Sequence, residues 1–335
     1  MIQQAIYKAL NRENLSLEET KAVMDEIMSG NATNAQIAGF VTAIRMKGET
    51  IEEITACAMI MRKYGLKLTH TGDVLDIVGT GGDEAFTFNI STISSLIISA
   101  AGIPVAKHGN RSVSSKCGSA DVLEALGVKI DIPVEKSEKI LKELGICFLF
   151  APLYHSSMKY AAPVRRELGV RTIFNILGPL SSPADANLQL LGVYDENLVE
   201  PMARVLANLG VKRAMVVHGH DGLDEVSLCA KTTVCEVNNG QVNSFFLDPH
   251  QFGFEYCKAQ DLVGGDPSQN AEIAMRILSG ELGPKRDIVL LNSAVCLYMS
   301  YNNITLRECV KLAAETIDSG KAMMQLNNFI HLSNA

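Results

Sequence analysis

Residues 76–83 have the composition of a loop that binds a phosphorylated ligand. They read Asp-Ile-Val-Gly-Thr-Gly-Gly-Asp, so a short apolar run passes directly into three glycines. Glycine tolerates positive φ angles and lets backbone N–H groups approach a ligand closely. The spacing matches neither the P-loop pattern nor G-x-G-x-x-G, so neither an ATPase nor a dinucleotide-binding protein has motif support.

Residues 89–92, Asn-Ile-Ser-Thr, lie at the predicted start of the apolar helix that follows this loop. Backbone N–H groups at a helix N-terminus, together with the helix dipole, favour a bound anion. With the glycines they form a candidate cradle for phosphate or pyrophosphate. The alternative interpretation is a plain strand-to-helix turn with a capping box.

Residues 107–115 form a second polar segment directly after a predicted strand. They read Lys-His-Gly-Asn-Arg-Ser-Val-Ser-Ser, a dense array of donors for phosphate and ribose oxygens. Ser119 and Asp121 then begin another predicted helix. A solvated loop is the alternative, but ligands bind at strand carboxyl ends in sheets of this kind, which favours a binding site.

Residues 221–225, Asp-Gly-Leu-Asp-Glu, follow a third predicted strand. Adjacent carboxylates at a sheet end suit Mg²⁺ that is bound through oxygen and water beside phosphates. Surface acids are the alternative interpretation. His218 and His220 lie just upstream, but no further ligands follow at metal spacing, so a histidine metal site is disfavoured.

Arg165 is a candidate for binding a planar carboxylate, which arginine grips with two parallel hydrogen bonds. A surface helix arginine is the alternative. The sequence shows no Ser/His/Asp or Cys/His nucleophile set. The residues by themselves therefore indicate a phosphate-handling, Mg²⁺-dependent transferase without a covalent nucleophile.

The elements that must position these residues fall into two classes. Residues 1–70 predict helices, with start signals at Ser16, at Thr33 or Asn34, and at Thr50. From Gly72 onward, short apolar runs alternate with helical stretches, which indicates a largely parallel sheet covered on both faces. The predicted strands are 74–78, 103–106, 128–130, 146–150, 214–217 and 288–291, and the predicted helices include 120–126 and 134–144.

Composition narrows the class of protein further. The 335 residues suffice for one large or two modest domains, and the net charge of −7 disfavours a nucleic-acid partner. The most apolar segment, residues 96–106, is too short to span a bilayer, and no secretory signal is visible at the N-terminus. Eight scattered cysteines without a C-x-x-C pair favour reduced thiols, so we expect a cytoplasmic protein without a membrane partner.

The polar segments together resemble the anthranilate phosphoribosyltransferase family of tryptophan biosynthesis. The resemblance is carried, in family order, by residues 76–83, 89–92, 107–112, 171–180 and 221–225. It implies a small all-helical domain plus a larger α/β domain with a central, largely parallel sheet, as in nucleoside phosphorylases and phosphoribosyltransferases. The implied small domain is 1–71 with a helical excursion from about 165–185, and the large domain is 72–335. The family also implies a homodimer, for which Ile6, Leu10 and Ile54 are candidate interface residues.

The implied reaction joins anthranilate to 5-phosphoribosyl 1-diphosphate (PRPP), with Mg²⁺ as two ions per site. The residues implied for PRPP are Gly79, Gly82, Asp83, Thr87, Asn89, Ile90, Ser91, Thr92, Lys107, His108, Gly109, Asn110, Arg111, Ser112, Val113, Ser114, Ser115 and Ser119. Those implied for anthranilate are Gly79, His108, Asn110, His155 and Arg165. Those implied for the metal are Ser91, Asp224 and Glu225.

The chain departs from the family pattern at two places. Ser181-Ser182 stands where Asn often precedes Pro, and Ser156-Ser157 follows His155 where Pro-Ala is common. Two alternatives remain at this point. A pyrimidine nucleoside phosphorylase would share the fold and use free phosphate, and a non-catalytic relative could bind nucleic acid, although the acidic charge disfavours it.

Overall fold

The N-terminal part of the chain is helical, as the sequence predicted. The computed structural model describes residues 1–112, 116–301 and 303–335. Its first helices are α1 (Ile2–Leu10), α2 (Leu17–Met28), α3 (Asn34–Lys47) and α4 (Ile51–Tyr64). Ser16, Thr33 and Thr50 each form a capping box at the start of α2, α3 and α4, so these three start signals are confirmed.

A seven-stranded sheet forms the centre of the remaining described chain. The strands are β1 (Leu75–Gly79), β2 (Val105–Gly109), β3 (Ile146–Phe150), β4 (Leu188–Gly192), β5 (Arg213–Gly219), β6 (Thr232–Asn238) and β7 (Gln241–Leu247). Their order is β3-β2-β1-β4-β5-β6-β7. The first five run parallel and the last two are antiparallel, so the predicted, largely parallel sheet is confirmed.

The strand pairing is uneven at β1. Five residues of β1 pair in register with β4, whereas the described residues pair β1 with β2 only at Leu75 and Val105. Beyond that point side chains connect the two strands. Lys107 donates to the Ile77 carbonyl at 2.7 Å, and the Asp76 carboxylate accepts from the His108 N–H at 3.1 Å. The carboxyl ends of β1 and β2 are therefore held by side chains.

Helices cover both faces of the sheet. They are α5 (Ile90–Ala100), α6 (Ser119–Ala125), α7 (Val134–Leu144), α8 (Ala151–Tyr154), α9 (Ala162–Leu168), α10 (Phe174–Leu177), α11 (Val199–Asn208), α12 (Pro267–Leu278), α13 (Pro284–Ser300), α14 (Leu306–Asp318) and α15 (Lys321–Asn334). One hydrophobic core joins α5, α13, α14 and α15 to the sheet. A second core contains α1–α4 and α9–α11, so Val164 and Phe174 share it with Phe40.

Three sequence predictions differ from the structure. Residues 288–291 lie inside α13, which is apolar nearly all round because it is buried, and a short apolar run cannot distinguish such a helix from a strand. Residues 128–130 belong to no strand or helix, although Val128 and Ile130 are buried. Strands β4, β6 and β7 were not predicted.

Two further observations concern surfaces. Ile54 is 2% exposed and belongs to the core of the N-terminal helices, so it cannot lie at a dimer interface as the sequence suggested. In the described part of the chain, every helix is too short or too polar to cross a lipid bilayer.

Candidate active site

The loops after β1 and β5 meet at the carboxylate of Asp224. This side chain accepts a hydrogen bond from the Gly81 N–H at 2.7 Å. A Cβ on Gly79 would collide with the Asp224 carboxylate, and a Cβ on Gly192 would collide with the Asp224 carbonyl oxygen. Glycine at both strand ends therefore lets the acidic loop, defined here as residues 221–225, approach the glycine-rich loop, defined here as residues 80–88.

Lys107 connects β2 to the start of α5 from inside the protein. Its ammonium is buried and donates to the Ile77 carbonyl and, at 3.1 Å, to the Ser91 hydroxyl. Burial lowers the pKa of Lys107, while the nearby Asp76 and Glu225 carboxylates oppose that shift. The structure thus brings together Lys107, Ser91 and the acidic loop, as predicted for one polyanion site.

The N-terminus of α5 lacks the side-chain cap that α2, α3 and α4 have. Asn89 precedes the helix, but its side chain forms no capping hydrogen bond; it donates to the Cys117 carbonyl at 3.1 Å and accepts from Asn270 at 2.9 Å. The buried Thr92 hydroxyl has no partner among the residues described. The capping-box alternative for residues 89–92 is therefore wrong, and the helix N-terminus can receive an anion. Ile90 belongs to the core.

The acidic loop carries two carboxylates that favour protonation. Burial and then the Asp83 carboxylate raise the pKa of Asp224 to about 7. Burial and then Asp224 raise the pKa of Glu225 to about 8, and the Ser91 backbone N–H acts in the opposite direction. Crowded, partly buried carboxylates of this kind are stabilised by a cation.

The oxygen donors fit Mg²⁺ better than a transition metal. Within the described ranges, no three His, Cys, Asp or Glu side chains gather as a metal site. Mg²⁺ usually binds one or two carboxylates and completes its shell with waters and substrate phosphates, which two carboxylates beside the Ser91 hydroxyl allow. His218 instead contacts the Val193 carbonyl at 2.7 Å, and His220 contacts Thr233 at 2.8 Å.

The loop after β2 is tied to α6. The Arg111 guanidinium pairs with Asp121 at 3.0 Å and with Glu124, which raises its pKa. The Ser119 hydroxyl donates to the Asn110 carbonyl at 3.2 Å, and a Cβ on Gly109 would collide with that hydroxyl oxygen. The Ser112 N–H donates to Asp121 at 3.0 Å. Val113, Ser114 and Ser115 lie outside the described residues.

The remaining predicted residues of the glycine-rich loop shape its backbone. Asp83 accepts from the Ala85 N–H at 3.2 Å, and Thr87 forms an antiparallel bridge with Val263. The Gly82 carbonyl accepts a hydrogen bond from Arg171. The loop is therefore held at several points along its length.

Two buried histidines, one at the end of β2 and one after α8, lie next to each other. The ring centroids of His108 and His155 are 5.1 Å apart. Burial lowers the pKa of His108 to about 3 and that of His155 to about 4. Both imidazoles are therefore neutral at pH 7, and the Nε2 atom of each is buried without a hydrogen-bond partner among the described residues.

Arg165 is a half-buried cation with no carboxylate partner among the described residues. It lies on α9 with its guanidinium 5.8 Å from the centre of the Phe174 ring, and it forms no ion pair with any residue that the structure describes. Burial lowers its pKa. An unpaired, partly desolvated guanidinium is suited to a carboxylate ligand.

Three residues of the site were missed from the sequence. Gly192 could have been found as a glycine that ends an apolar run, as Gly79 does. Asp76 is fully buried and burial raises its pKa to about 7, yet it holds the His108 backbone; an acid inside an apolar strand was the available signal. Arg171 lies in a segment that was quoted for the resemblance, but nothing in the sequence assigned it a contact.

The chain is similar to known proteins along nearly its whole length. Residues 71–323 match the model described as "Glycosyl transferase family, a/b domain", and residues 3–65 match "Glycosyl transferase family, helical bundle domain". The anthranilate phosphoribosyltransferase of Ruminiclostridium cellulolyticum is 69% identical over 335 residues, which cover 100% of this chain and 98% of the relative.

Solved structures of anthranilate phosphoribosyltransferases are also similar to this chain. The crystal structure of anthranilate phosphoribosyltransferase from Thermus thermophilus is 42% identical and superposes with a TM-score of 0.94, covering 99% of both chains. The Saccharomyces cerevisiae enzyme in complex with PRPP and Mg is 30% identical with a TM-score of 0.92, covering 99% of this chain and 98% of that one.

The neutral state of His155 predicts how stability depends on pH. The pKa of His155 is about 4 in the folded protein and about 6.5 in the unfolded chain, so below pH 6.5 the unfolded chain binds more protons and acid destabilises the fold. Between pH 7 and pH 5, we expect His155→Gln to lose about 2 kcal/mol less unfolding free energy than the wild type.

Urea unfolding at the two pH values measures this difference. The matched control is His331→Gln, which removes an exposed histidine on α15. Its free energy of unfolding should decrease with acid as much as that of the wild type. An equal decline in His155→Gln and the wild type would contradict the buried neutral state.

Proposed function

The chain belongs to the anthranilate phosphoribosyltransferase family, and we propose that its loops after β1, β2 and β5 bind the two substrates of that enzyme. The reaction transfers the 5-phosphoribosyl group of PRPP to anthranilate, giving N-(5-phosphoribosyl)anthranilate and pyrophosphate, in L-tryptophan biosynthesis. The observation that carries the assignment of the site is the acidic loop between the two donor segments: Asp224 accepts from the Gly81 N–H of the glycine-rich loop, and Glu225 lies near the buried Lys107. The full-length family match sets aside the phosphorylase and nucleic-acid-binding alternatives.

PRPP binds, in this proposal, across the three donor groups of the site. These are the glycine-rich loop, the N-terminus of α5 and residues 107–115 with Ser119. Backbone N–H groups and Lys107 supply positive potential for the diphosphate. Arg111 is paired with Asp121 and Glu124, so contact with PRPP requires it to exchange at least one of these partners.

Asp224, Glu225 and Ser91 would hold Mg²⁺, and we propose two ions per site because the two carboxylates lie on adjacent residues beside a polyphosphate site. When bound, the metal supplies positive charge that stabilises the departing pyrophosphate. Lys107 stabilises the same charge from the protein side. Its two hydrogen bonds fix the ammonium in place, so no reorganisation is needed as the leaving group departs.

The acceptor side binds and orients anthranilate. Arg165 pairs with the carboxylate of the substrate, while Gly79, Asn110 and the neutral His108 and His155 line the neighbouring space. A neutral imidazole has one nitrogen that accepts a hydrogen bond, which suits an amine donor. The arylamine lone pair is available near neutral pH, so orientation of the nitrogen towards the ribose carbon contributes more than a strong base.

Anthranilate fluorescence tests the reaction directly, since the protein contains no tryptophan. Addition of PRPP and Mg²⁺ should decrease the anthranilate fluorescence as the substrate is consumed. Asp224→Asn combined with Glu225→Gln should lose most of kcat at saturating Mg²⁺, because the carboxylate charge that binds the metal is removed.

The matched control is Asp221→Asn, which neutralises an exposed acid of the same loop and should retain turnover. Unchanged fluorescence with the wild type would refute the function. Near-normal turnover by the double variant would refute the metal assignment alone.

Arg165→Ala should raise the KM for anthranilate by about tenfold or more and leave the KM for PRPP within about twofold, because the lost group contacts the acceptor. Steady-state kinetics with each substrate varied in turn measures both constants. Arg166→Ala, the exposed neighbour on α9, is the control. Equal increases in both KM values would rule out the assigned role.

We further propose that the protein is a homodimer. Each chain has a small helical domain, residues 1–71, which a helical excursion from about 165–185 joins, and a large α/β domain within residues 72–335. Tyr7 and Leu10 on α1 and Met46 on α3 are 71%, 67% and 79% exposed, which is unusual for large apolar side chains on packed helices. Ile6 packs against α3, near Gly39, and contributes less surface. Eight cysteines without a disulfide in the structure agree with a cytoplasmic location.

Light scattering after size-exclusion chromatography tests the dimer. The wild type should elute at about 72 kDa, twice its chain mass of 36.2 kDa. Leu10→Glu with Met46→Glu should shift it to one chain mass, because two buried charges oppose association. Met324→Glu, on an exposed part of α15, is the control. A monomeric wild type would refute the dimer.

A further inference from the structure

The glycine-rich loop has a backbone that its neighbours must hold. Gly81 and Gly82 have φ angles of 65° and 76°, and Glu84 and Phe86 have φ angles of 58° and 52°. The last two carry side chains, for which this left-handed region is unfavourable. Such a conformation persists only where surrounding contacts impose it, so the contacts of this loop decide its shape.

Contacts from two different parts of the chain hold the loop. The Gly81 N–H is fixed by Asp224, and the Phe86 carbonyl accepts from the Gly264 N–H at 2.9 Å; both partners follow the sheet strands β1–β5 in sequence. Between these points, the Gly82 carbonyl accepts from the Arg171 guanidinium. Arg171 lies between α9 and α10, in the segment that packs with the N-terminal helices.

Arg171 lies over the ring of Tyr194. Its guanidinium carbon lies 4.1 Å from the centre of the Tyr194 ring, and the Tyr194 N–H donates to the Thr80 hydroxyl at 3.1 Å. The Glu84 carboxylate is 4.0 Å away. A planar guanidinium can stack on a ring and donate from its edge at the same time, which an ammonium cannot do. The cation is thus aimed at the loop backbone.

The same segment carries the anthranilate residue. Arg165 on α9 and Phe174 on α10 flank the loop that contains Arg171. In a trans peptide the C=O and the following N–H point in opposite directions, so holding the Gly82 carbonyl fixes the direction of the Asp83 N–H. Arg171 therefore joins the backbone of the PRPP loop to the segment that receives anthranilate.

We propose that Arg171 is a positioning residue that couples PRPP binding at the glycine-rich loop to anthranilate binding at Arg165. The inference rests on the proposed function. Binding of either substrate orders the contact between the loop and the segment, so each substrate tightens the other, and the coupling is reciprocal. Removal of the guanidinium frees the loop backbone and separates the two sites.

The test measures the Kd of PRPP with Mg²⁺, first alone and then with saturating benzoate, which keeps the carboxylate of anthranilate but lacks the reacting amine. In the wild type the ratio of the first Kd to the second should be about three or more, and in Arg171→Ala it should fall to about one. The KM for PRPP at saturating anthranilate should rise about tenfold in the variant, while kcat changes by less than about threefold. A variant KM within about twofold of the wild type, or a wild-type ratio of about one, would overturn the proposal.

Three controls separate positioning from loss of structure. Arg171 is 41% exposed, so thermal unfolding of Arg171→Ala should match the wild type. Arg166→Ala should behave as the wild type. Tyr194→Phe keeps the ring and should be unchanged, whereas Tyr194→Leu removes the ring and should lose the coupling; an unchanged ratio in Tyr194→Leu counts against the proposal. If the wild-type protein does not consume anthranilate, the proposed function itself is refuted, whatever values these ratios take.

Discussion

The close approach of the acidic loop to the glycine-rich loop is the constraint on which the site depends. The Asp224 carboxylate reaches the Gly81 N–H because neither Gly79 nor Gly192 has a side chain in the way. Any larger residue at these strand ends would push residues 221–225 outward and separate the carboxylates from Lys107. The approach also costs stability, since burial and like charge raise the pKa values of Asp224 and Glu225. In the proposed function, Mg²⁺ bound at these carboxylates would offset that cost.

In its described residues, the sheet lacks regular backbone pairing between β1 and β2 at the candidate site. Beyond Leu75 and Val105, the described parts of β1 and β2 are joined by Lys107 and Asp76 side chains instead of a backbone ladder. The bond from Asp76 fixes the backbone of His108, and the bond from Lys107 fixes an ammonium beside Ser91. Because side chains alternate across a strand, the Lys107 ammonium and the His108 imidazole lie on opposite faces of β2. In the proposed function, the first face supplies the cation for the diphosphate and the second supplies a neutral imidazole beside the acceptor.

Local signals predicted much of the fold. Ser16, Thr33 and Thr50 start helices because their hydroxyl groups cap nearby N–H groups, an interaction within one turn. The strands at 75–79, 146–150 and 213–219 were recognisable as short apolar runs that end in polar loops. Residues 288–291 misled the prediction because α13 is buried on nearly every side and shows no periodicity. Strand β4 was not predicted, although it is a short apolar run that ends in a glycine, as β1 is.

The sequence by itself determined the class of ligand: glycines, a donor-rich segment and paired acids at strand ends already indicate phosphate and Mg²⁺, since these preferences belong to residue types. Tertiary structure decided which groups act together. The unpaired state of Arg165, the neutral His108 and His155, the pairing of Arg111 with α6 and the contact of Arg171 with Gly82 all depend on burial and on partners far along the chain. Charge, desolvation and hydrogen bonding are properties of the surroundings of a side chain, and only the folded chain creates those surroundings.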